Sequence, residues 1–366
     1  MATETCQHCH DLTWHASLDF TDDVTNFGVH GIYSYPARFV PQIPRHFIHK
    51  YNPSVVLDPF SGSGTTIVEA KLHESHGIAM DIMPIALACA KVKTWEFDAM
   101  SFHRNAVVME IMMDEPKKKP LPAILQDAIS FSGDVEYVFP LDVQEQIQAV
   151  RTAIESVPNG TAKLFFKLCA AQELRRCSKA KPGELDWSPR REGETETNYI
   201  GCFRDKYRKE AKNFEVFQRD FPSFRNNVQP TIINTQREWL HESCDLIVTS
   251  PPYGKLVTVI NYPDIHKYAH ALFFDKESLP SNKQFIQTTA QLNLYFQRVI
   301  PFLRKGKHVV VVVAPSNSDN WVAETRNILK ACGCEKCDEI ERVIDPKKKF
   351  IPGNIKKEWV LDWVKA

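Results

Sequence analysis

The amino-acid sequence predicts an α/β fold, in which a central, mostly parallel sheet carries helices on its faces and a largely helical insertion separates two halves. Residues 54–93 alternate strand-like and helix-like patterns twice, and a second series of such patterns begins near Thr231. The long stretch between these two series lacks such alternation. Alternating strands and helices indicate parallel strands joined by helical crossovers, so both halves are expected to build one sheet.

The first half contains two strand–loop–helix units. Residues 54–58 (SVVLD) and 77–81 (GIAMD) are short apolar runs that each end in an aspartate, as expected for strands. Residues 67–73 follow a glycine-rich loop with a helix-like pattern, and residues 84–93 are rich in Ala and Leu behind an initial proline. Proline is favoured in the first turn of a helix, so the sequence predicts β–α–β–α order here.

The second half also contains strand-like and helix-like patterns. Residues 231–233 and 245–248 are predicted to be buried strands, and residues 289–303 an amphipathic helix. Residues 308–314 (HVVVVVA) contain the longest valine run, which is typical of a central strand covered on both faces. Residues 358–364 (EWVLDWV) are predicted to be the final strand, at an edge of the sheet.

Bulk composition places few limits on function. The 366 residues contain 45 Lys and Arg and 45 Asp and Glu, so attraction to a polyanion requires local clustering of charge. No apolar stretch is long enough to span a bilayer, and the first residues lack a secretory signal pattern. The sequence therefore predicts a soluble, cytoplasmic enzyme with no membrane partner.

The middle of the chain is locally basic and aromatic. In residues 163–225, Lys and Arg outnumber Asp and Glu, and aromatic residues are interleaved with the charges. This pattern fits a surface that binds duplex nucleic acid, and it also fits a solvated helical insertion whose charged side chains lie along apolar surface. The candidate phosphate-binding residues are Arg175, Arg176, Lys179 and Lys181.

The segment DPFSGSGTT (residues 58–66) is the first candidate ligand site. Glycines between a strand end and a helix start let a ligand approach the backbone. The spacing differs from the dinucleotide fingerprint and no lysine is present to hold phosphates, so an acid with small residues favours a zwitterionic adenosyl amino acid. Asp81, at the end of the next strand, is placed to accept hydrogen bonds from ribose hydroxyls, or else it caps the following helix.

The segment TSPPYG (residues 249–254) is the second candidate site. Two prolines end the preceding strand in extended geometry and present the Ser250 hydroxyl and the Tyr253 ring at the carboxyl edge of the sheet. A planar ring beside hydrogen-bond acceptors matches a flipped-out base that carries an amino group. The alternative is a strand-ending turn with a core tyrosine.

The ten cysteines include two clusters, Cys6-x-x-Cys9 and Cys332-x-Cys334-x-x-Cys337. Paired thiolates on tight turns suit tetrahedral zinc, so a site formed by Cys6, Cys9, Cys334 and Cys337 is one interpretation. Reduced thiols without a metal are the other.

DPFSGSGTT and TSPPY, together with HGIYSYPARFVPQIPRHFI (residues 30–48), resemble the motifs of the DNA amino-methyltransferases of restriction–modification type. The resemblance implies a Rossmann-like class I fold, S-adenosylmethionine (AdoMet) as cofactor and double-stranded DNA as substrate, with a cognate restriction endonuclease as a candidate partner. That family flips its target base and methylates cytosine N4 or adenine N6 directly. TSPPY is typical of the cytosine-N4 enzymes.

The resemblance carries over by position. It implies a cofactor site formed by Tyr35, Pro36, Ala37, Asp58, Phe60, Gly62, Gly64, Thr65, Asp81 and Thr249. It implies a base site formed by Ser250, Pro251, Pro252 and Tyr253, with no metal. The corresponding division is an N-terminal arm (1–29), an AdoMet-binding half (30–100), an insertion and candidate target-recognition region (101–230) and a catalytic half (231–366).

One position departs from the family, which usually has an acid near adenine after the third strand. Thr235 stands there in this chain, and Asn234 or Thr235 is then expected to bind the adenine ring. Three alternative functions stay open: an adenine-N6 enzyme, an RNA guanine-N2 methyltransferase, and a non-catalytic subunit with the same fold. RNA enzymes of this kind usually carry an RNA-binding domain before the first motif, where only residues 1–29 stand here. A nucleotide-dependent dehydrogenase does not fit the loop spacing.

Overall fold

The chain forms one seven-stranded sheet covered by helices in a computed structural model. The structure describes residues 18–19, 27–36, 38, 40–114, 138–158, 160–181, 187, 196–225, 229–252, 261–274, 279–315, 320–344 and 357–366. The strands are β1 (Val55–Asp58), β2 (His76–Asp81), β3 (Thr231–Asn234), β4 (Cys244–Thr249), β5 (Leu303–Val313), β6 (Cys334–Val343) and β7 (Lys357–Lys365).

The strands lie in the order β3-β2-β1-β4-β5-β7-β6. The first five pair in parallel, and β7 is antiparallel to both of its neighbours, β5 and β6. The carboxyl ends of β1 and β4 meet at the centre, where the strand order reverses, and open α/β sheets bind ligands at such a point. The fold is therefore the predicted Rossmann-like fold of class I AdoMet-dependent methyltransferases.

The helices divide into three groups. They are α1 (Gln42–Tyr51), α2 (Thr65–Leu72), α3 (Pro84–Lys93), α4 (Ala99–Asp114), α5 (Leu141–Ser156), α6 (Thr161–Glu173), α7 (Tyr199–Asp220), α8 (Tyr262–Phe273), α9 (Thr289–Val299) and α10 (Trp321–Ala331). The helices α1 to α3 lie on one face of the sheet, and α9 and α10 bury Phe296 and Leu329 against the other face. The helices α4 to α7 belong to the predicted insertion.

The insertion shares its core with the first half of the sheet domain. Phe102 of α4 and Phe165 of α6 are fully or nearly fully buried in the same cluster as Met83 and Val92, which belong to the segment around α3. Tyr268 of α8 joins this cluster from the second half. The prediction that the insertion is largely helical is confirmed in the described residues, and its helices are packed onto the body that carries the motifs.

The predicted position of the final strand is wrong. β7 lies inside the sheet between β5 and β6, and the edge is β6, which the sequence analysis did not predict. Six of the ten side chains of β6 (CEKCDEIERV) are charged and four of these are exposed, so its sequence lacks the apolar alternation of a buried strand. Charged side chains on an edge strand oppose pairing with other chains, which explains this composition.

Two bounds in the second half also differ from prediction. The helix α9 ends at Val299, and a short 3₁₀ helix (Ile300–Phe302) with Pro301 in it leads directly into β5. β5 therefore begins at Leu303, five positions before the predicted start at residue 308.

Among the described residues, none of the helices has the length and apolar character needed to cross a membrane.

Candidate functional site

A cleft at the carboxyl edge of the sheet contains both predicted motifs. Its walls include Phe60, Gly62 and Thr65 from the glycine loop and Asp81 from the end of β2. They also include Ser250, Pro251 and Pro252, which follow β4 directly, and Tyr35 and Pro36 from the segment before α1. Residues that the sequence predicts to bind cofactor and base thus line one cavity. Tyr253 and Ala37 lie outside the described residues.

Asp58 supports the glycine loop from behind and does not line the cleft. Its side chain is completely buried, and its carboxylate accepts hydrogen bonds from Thr66 Oγ1 at 2.7 Å, Thr249 Oγ1 at 2.6 Å and the Phe60 amide at 3.1 Å. Burial raises the pKa of Asp58 to about 6, although these hydrogen bonds lower it. Asp58 therefore ties the loop to β4. Neither Asp58 nor Thr249 is among the residues that line the cleft, and their part in cofactor binding stays a prediction.

Gly64 also lies behind the wall, where it permits close packing. Its φ is +79°, and a Cβ there would stand 2.7 Å from the Ala90 backbone of α3. Gly62, with φ +48°, faces the cleft, and a Cβ there would stand 3.4 Å from the Tyr35 ring. Gly62 thus leaves room for a ligand, and Gly64 sets the distance between the loop and α3.

Asp81 holds the loop from the ligand side. Its two carboxylate oxygens accept from the Gly62 amide at 2.8 Å and the Met83 amide at 2.8 Å. Burial raises the pKa of Asp81 to about 6, against the lowering effect of these hydrogen bonds. The backbone oxygen of Asp81 accepts from the Thr235 amide at 3.0 Å, and Thr235 also lines the cleft, as expected from the sequence. A carboxylate oxygen has two lone pairs, so Asp81 can accept further hydrogen bonds from a ligand in the cleft.

The cationic side chain of Arg38 stands at another part of the wall, and Lys93 lies behind it. Arg38 lines the cleft, and its guanidinium donates to the His30 carbonyl oxygen. Lys93 is fully buried, and its ammonium donates to Ser63 Oγ at 3.0 Å, while Ser63 itself lines the cleft. Burial lowers the pKa of Lys93 to about 7. A cleft with the Asp81 carboxylate in one part and the Arg38 guanidinium in another fits a ligand that carries both an ammonium and a carboxylate group.

Aromatic rings form another part of the cleft wall, the aromatic wall, which begins at Tyr35 beside Gly62 of the glycine loop. Tyr35 lies between two residues of α8, with its ring centroid 6.0 Å from Tyr262 and 5.3 Å from His266. Tyr262 stacks in turn on Phe285 at 5.9 Å, with an interplanar angle of 10°. Burial lowers the pKa of His266 to about 3, so this ring is neutral at physiological pH. The sequence analysis identified only Tyr35 of these four rings.

The aromatic wall rests on the insertion. The Ser34 amide donates to Gln172 Oε1 of α6 at 2.7 Å, and Trp187 Nε1 donates to the Asp264 carbonyl of α8 at 3.0 Å. Tyr33 OH and His266 Nδ1 are 3.1 Å apart. The middle region of the chain therefore positions the segment that carries Tyr35.

The four candidate DNA-binding residues differ in their exposure to solvent. Arg175 is half-buried with its guanidinium 4.3 Å from the centre of the Trp187 ring. Arg176 is exposed and its guanidinium lies 3.7 Å from the Glu173 carboxylate. Lys179 is half-buried and Lys181 is exposed. Only Arg176 and Lys181 thus present their side chains openly to solvent, and their role in DNA binding stays a prediction.

The zinc interpretation is not supported. Cys334 is buried in the core on the side of α9 and α10. Cys337, three positions along β6, is exposed on the opposite face, near His308 and Asp362. A strand places such residues on opposite sides of the sheet, so these two thiols do not share a metal. Cys6 and Cys9 lie outside the described residues.

A larger cavity shows that size alone does not identify the site. A groove of about 630 Å³ lies between α4 and α7, against about 190 Å³ for the cleft at the sheet edge. The groove is lined by residues such as Val107, Ile111 and Lys212, and none of the sequence motifs reaches it. The cleft is the better candidate because the loop, Asp81 and Ser250 converge there.

Known proteins with similar sequences are methyltransferases by name. The chain is 27% identical over 266 residues to the Type II methyltransferase M.MvaI of Kocuria varians, across 67% of this chain and 57% of that protein. It is 29% identical over 137 residues to the Type II methyltransferase M.MjaII of Methanocaldococcus jannaschii, across 36% of this chain and 23% of that protein. The matched regions cover less than two thirds of either relative. No protein-family model matches the chain.

Solved structures align with the chain only at low TM-scores. A SAM-dependent methyltransferase from Methanosarcina mazei aligns with a TM-score of 0.33 and 10% identity, over 87% of this chain and 97% of that one. The rRNA methyltransferase aviRa from Streptomyces viridochromogenes aligns with a TM-score of 0.36 and 9% identity, over 91% of this chain and 88% of that one.

Proposed function

We propose that this chain is an AdoMet-dependent DNA methyltransferase that methylates the exocyclic N4 of cytosine. The observation that carries the proposal is the convergence of Gly62, Asp81 and Ser250 on one cleft. A cofactor at the glycine loop and a base at Ser250 would then be neighbours, as direct transfer requires. The Type II methyltransferase names of both sequence relatives support DNA as the substrate.

The cleft residues fit AdoMet. Asp81 accepts hydrogen bonds from the ribose hydroxyls, and Thr235 lies beside it for the adenine ring. Arg38 binds the carboxylate of the methionine end, and Ser63, which accepts from Lys93, lines the same cleft. Gly62 leaves room for the ligand beside the Tyr35 ring. When bound, AdoMet supplies a methyl group on a positively charged sulfur.

Ser250 and the prolines after it hold the target base. The base leaves the duplex and enters the cleft, because its amino group is not accessible within the stacked helix. Ser250 Oγ accepts a hydrogen bond from that amino group and orients its nitrogen, while Pro251 and Pro252 keep the backbone extended. Tyr253 is proposed to stack on the base. The residue type at position 250 is the reason for preferring cytosine N4 to adenine N6.

The experiment is methyl transfer from isotopically labelled AdoMet to mixed duplex DNA and, in parallel, to bulk RNA, with nucleoside mass analysis of the products. We expect label in DNA as N4-methylcytosine, and at least a tenfold loss with Ser250→Ala, on the order of the 1.4 kcal/mol of one well-placed hydrogen bond. N6-methyladenine would keep the enzyme class and overturn the choice of base. Label confined to RNA would overturn DNA as the substrate.

A further inference from the structure

The rings of the aromatic wall follow one another in a series that starts at the glycine loop. Tyr35 packs beside Gly62 of the loop, Tyr262 stacks on Tyr35, and Phe285 stacks on Tyr262. The series therefore leads from the cofactor loop outwards. Gln284 comes directly before Phe285, lines the same cleft and is exposed to solvent. A base that enters from solvent meets this end of the wall first.

The amide orientation of Gln284 is fixed by its neighbours. Gln284 ends a short 3₁₀ helix (Asn282–Gln284), and its Oε1 accepts from the Ser281 amide at 2.8 Å in a capping box. A backbone N–H can only donate, so the atom that faces it must be the carbonyl oxygen. The Nε2 group keeps its two protons for another partner, and no described residue accepts from it. Gln284 thus offers a donor at the cleft.

We propose that Gln284 selects the target base by donating from Nε2 to the ring nitrogen next to the amino-bearing carbon, an inference that rests on the proposed function. Cytosine N3 and adenine N1 are bare acceptors at this position. Guanine N1 and thymine N3, the ring nitrogens in the middle of the Watson–Crick edge of those bases, carry a hydrogen and would meet a second donor. Gln284 therefore admits cytosine and adenine and rejects guanine and thymine.

This arrangement complements Ser250. Ser250 accepts from the amino group while Gln284 donates to the ring nitrogen beside it, and both residues line the same cleft. Because the protein accepts one of these hydrogen bonds and donates the other, together they fix which edge of the base faces into the cleft. Tyr262 and Phe285 supply flat apolar surface for the ring between them and Pro252.

The substitution Gln284→Glu isolates the donor. Glutamate fills the same place in a capping box and keeps the oxygen that accepts from Ser281, so the local fold is preserved. It replaces the N–H donors with a second acceptor. We expect kcat/KM on duplex DNA to fall by about tenfold or more, with the AdoMet dissociation constant within twofold of the wild type.

The chain contains a matched control. Gln291 forms the same capping box with Thr288 at the start of α9, where its Oε1 accepts from the Thr288 amide at 3.1 Å, and it does not line the cleft. Gln291→Glu adds the same charge near the cleft without changing the wall. We expect its kcat/KM to stay within about twofold of the wild type. An equal loss in both variants would overturn the proposal, because it would assign the effect to charge alone.

A substrate analogue completes a double-mutant cycle. The target cytosine is replaced by 3-deazacytosine, or the target adenine by 1-deazaadenine if that is the methylated base, which exchanges the acceptor nitrogen for C–H. We expect the wild type to lose about tenfold on the analogue and Gln284→Glu to lose little more. Additive losses, or unchanged turnover of Gln284→Glu on normal DNA, overturn this inference alone. Absence of transfer by the wild type to any DNA removes the proposed function itself.

Discussion

The two walls of the cleft are built in different ways. The glycine-loop wall, where we propose that the cofactor binds, is fixed by backbone geometry, because Asp81 on the wall and Asp58 behind it accept hydrogen bonds from the main-chain amides of Gly62 and Phe60. On the aromatic wall, side chains stack on one another, and their positions depend on how α8 and the insertion pack. The comparison teaches that cofactor binding and base binding should respond to different substitutions. The predictions below test this separation.

Asp58→Ala gives the largest expected effect. The substitution leaves the Thr249 hydroxyl and the Phe60 amide without their acceptor in a buried place, and it leaves the Thr66 hydroxyl with only the Val248 carbonyl oxygen at 3.3 Å. We expect the free energy of unfolding to fall by about 3 kcal/mol, measured by urea denaturation. Asp220→Ala, at the exposed end of α7, is the control and should change it by less than about 0.5 kcal/mol. Equal losses would contradict the supporting role of Asp58.

Asp81→Asn tests the glycine-loop wall on its ligand side. An amide has one acceptor oxygen in place of two and no charge, so it cannot hold both main-chain amides and the ribose. We expect AdoMet to bind about 30- to 100-fold more weakly by calorimetry, on the order of 2 to 3 kcal/mol. Glu242→Gln, on an exposed side chain at the far end of the sheet, should leave the affinity unchanged. An unaltered affinity in Asp81→Asn would remove the proposed ribose contact.

Tyr262→Ala tests the aromatic wall. It removes the ring between Tyr35 and Phe285 and should lower kcat/KM on DNA by roughly tenfold to thirtyfold, on the order of 1 to 2 kcal/mol of stacking. AdoMet affinity should stay within about threefold of the wild type, and Tyr262→Phe should restore turnover because it keeps the ring. A loss confined to AdoMet affinity would contradict the separation of the walls.

The pH dependence of AdoMet affinity tests whether the Asp81 carboxylate binds the cofactor. The pKa of Asp81 is raised to about 6 by burial, so the carboxyl group is mostly protonated at pH 5 and mostly ionised at pH 7. Because ribose hydroxyls are better held by the ionised form, affinity should fall as pH falls through 6, by about tenfold between pH 7 and pH 5. Calorimetry of the wild type beside Asp81→Asn measures it, and the variant should show a flatter profile. If AdoMet affinity changes with pH equally in the wild type and in Asp81→Asn, a group other than Asp81 is responsible for the pH dependence.

The exposed basic residues give the smallest expected effect. Arg176→Ala or Lys181→Ala should weaken DNA binding less than about threefold at physiological salt and reduce the slope of log K against log salt by about one, as for loss of one phosphate contact. Fluorescence anisotropy at several salt concentrations measures both. An unchanged slope would show that these side chains do not contact phosphate. A change in base preference would contradict a role limited to the backbone of DNA.

The same difference between the walls explains what the sequence could predict. The glycine loop and the acid after β2 are short segments whose residue types follow from local geometry, so Gly62, Thr65 and Asp81 could be identified directly. Asp58 belongs to the same motif, yet its role behind the loop depends on Thr249, which is 191 positions away. A motif identifies which residues matter and does not determine which side of the wall they occupy.

The aromatic wall could not be predicted because its contacts join distant segments. Tyr262 and His266 hold Tyr35 only because they lie four positions apart on one face of α8, and α8 was not predicted. Gln284 carries a sequence signal, since Ser281 and Gln284 have the spacing of a capping box, but that signal indicates a helix start and gives no sign of a cleft. β6 was missed for a related reason, because its charges reflect its edge position.

One measurement tests the central claim most directly. Wild-type protein and Asp81→Asn are each incubated with duplex DNA at limiting and at saturating labelled AdoMet, and the methylated nucleoside is quantified by mass. We expect N4-methylcytosine from the wild type at both concentrations. The variant should yield far less of it at limiting AdoMet and regain most of it at saturation. A wild-type protein that binds AdoMet and leaves every base of the DNA unmethylated would contradict the claim.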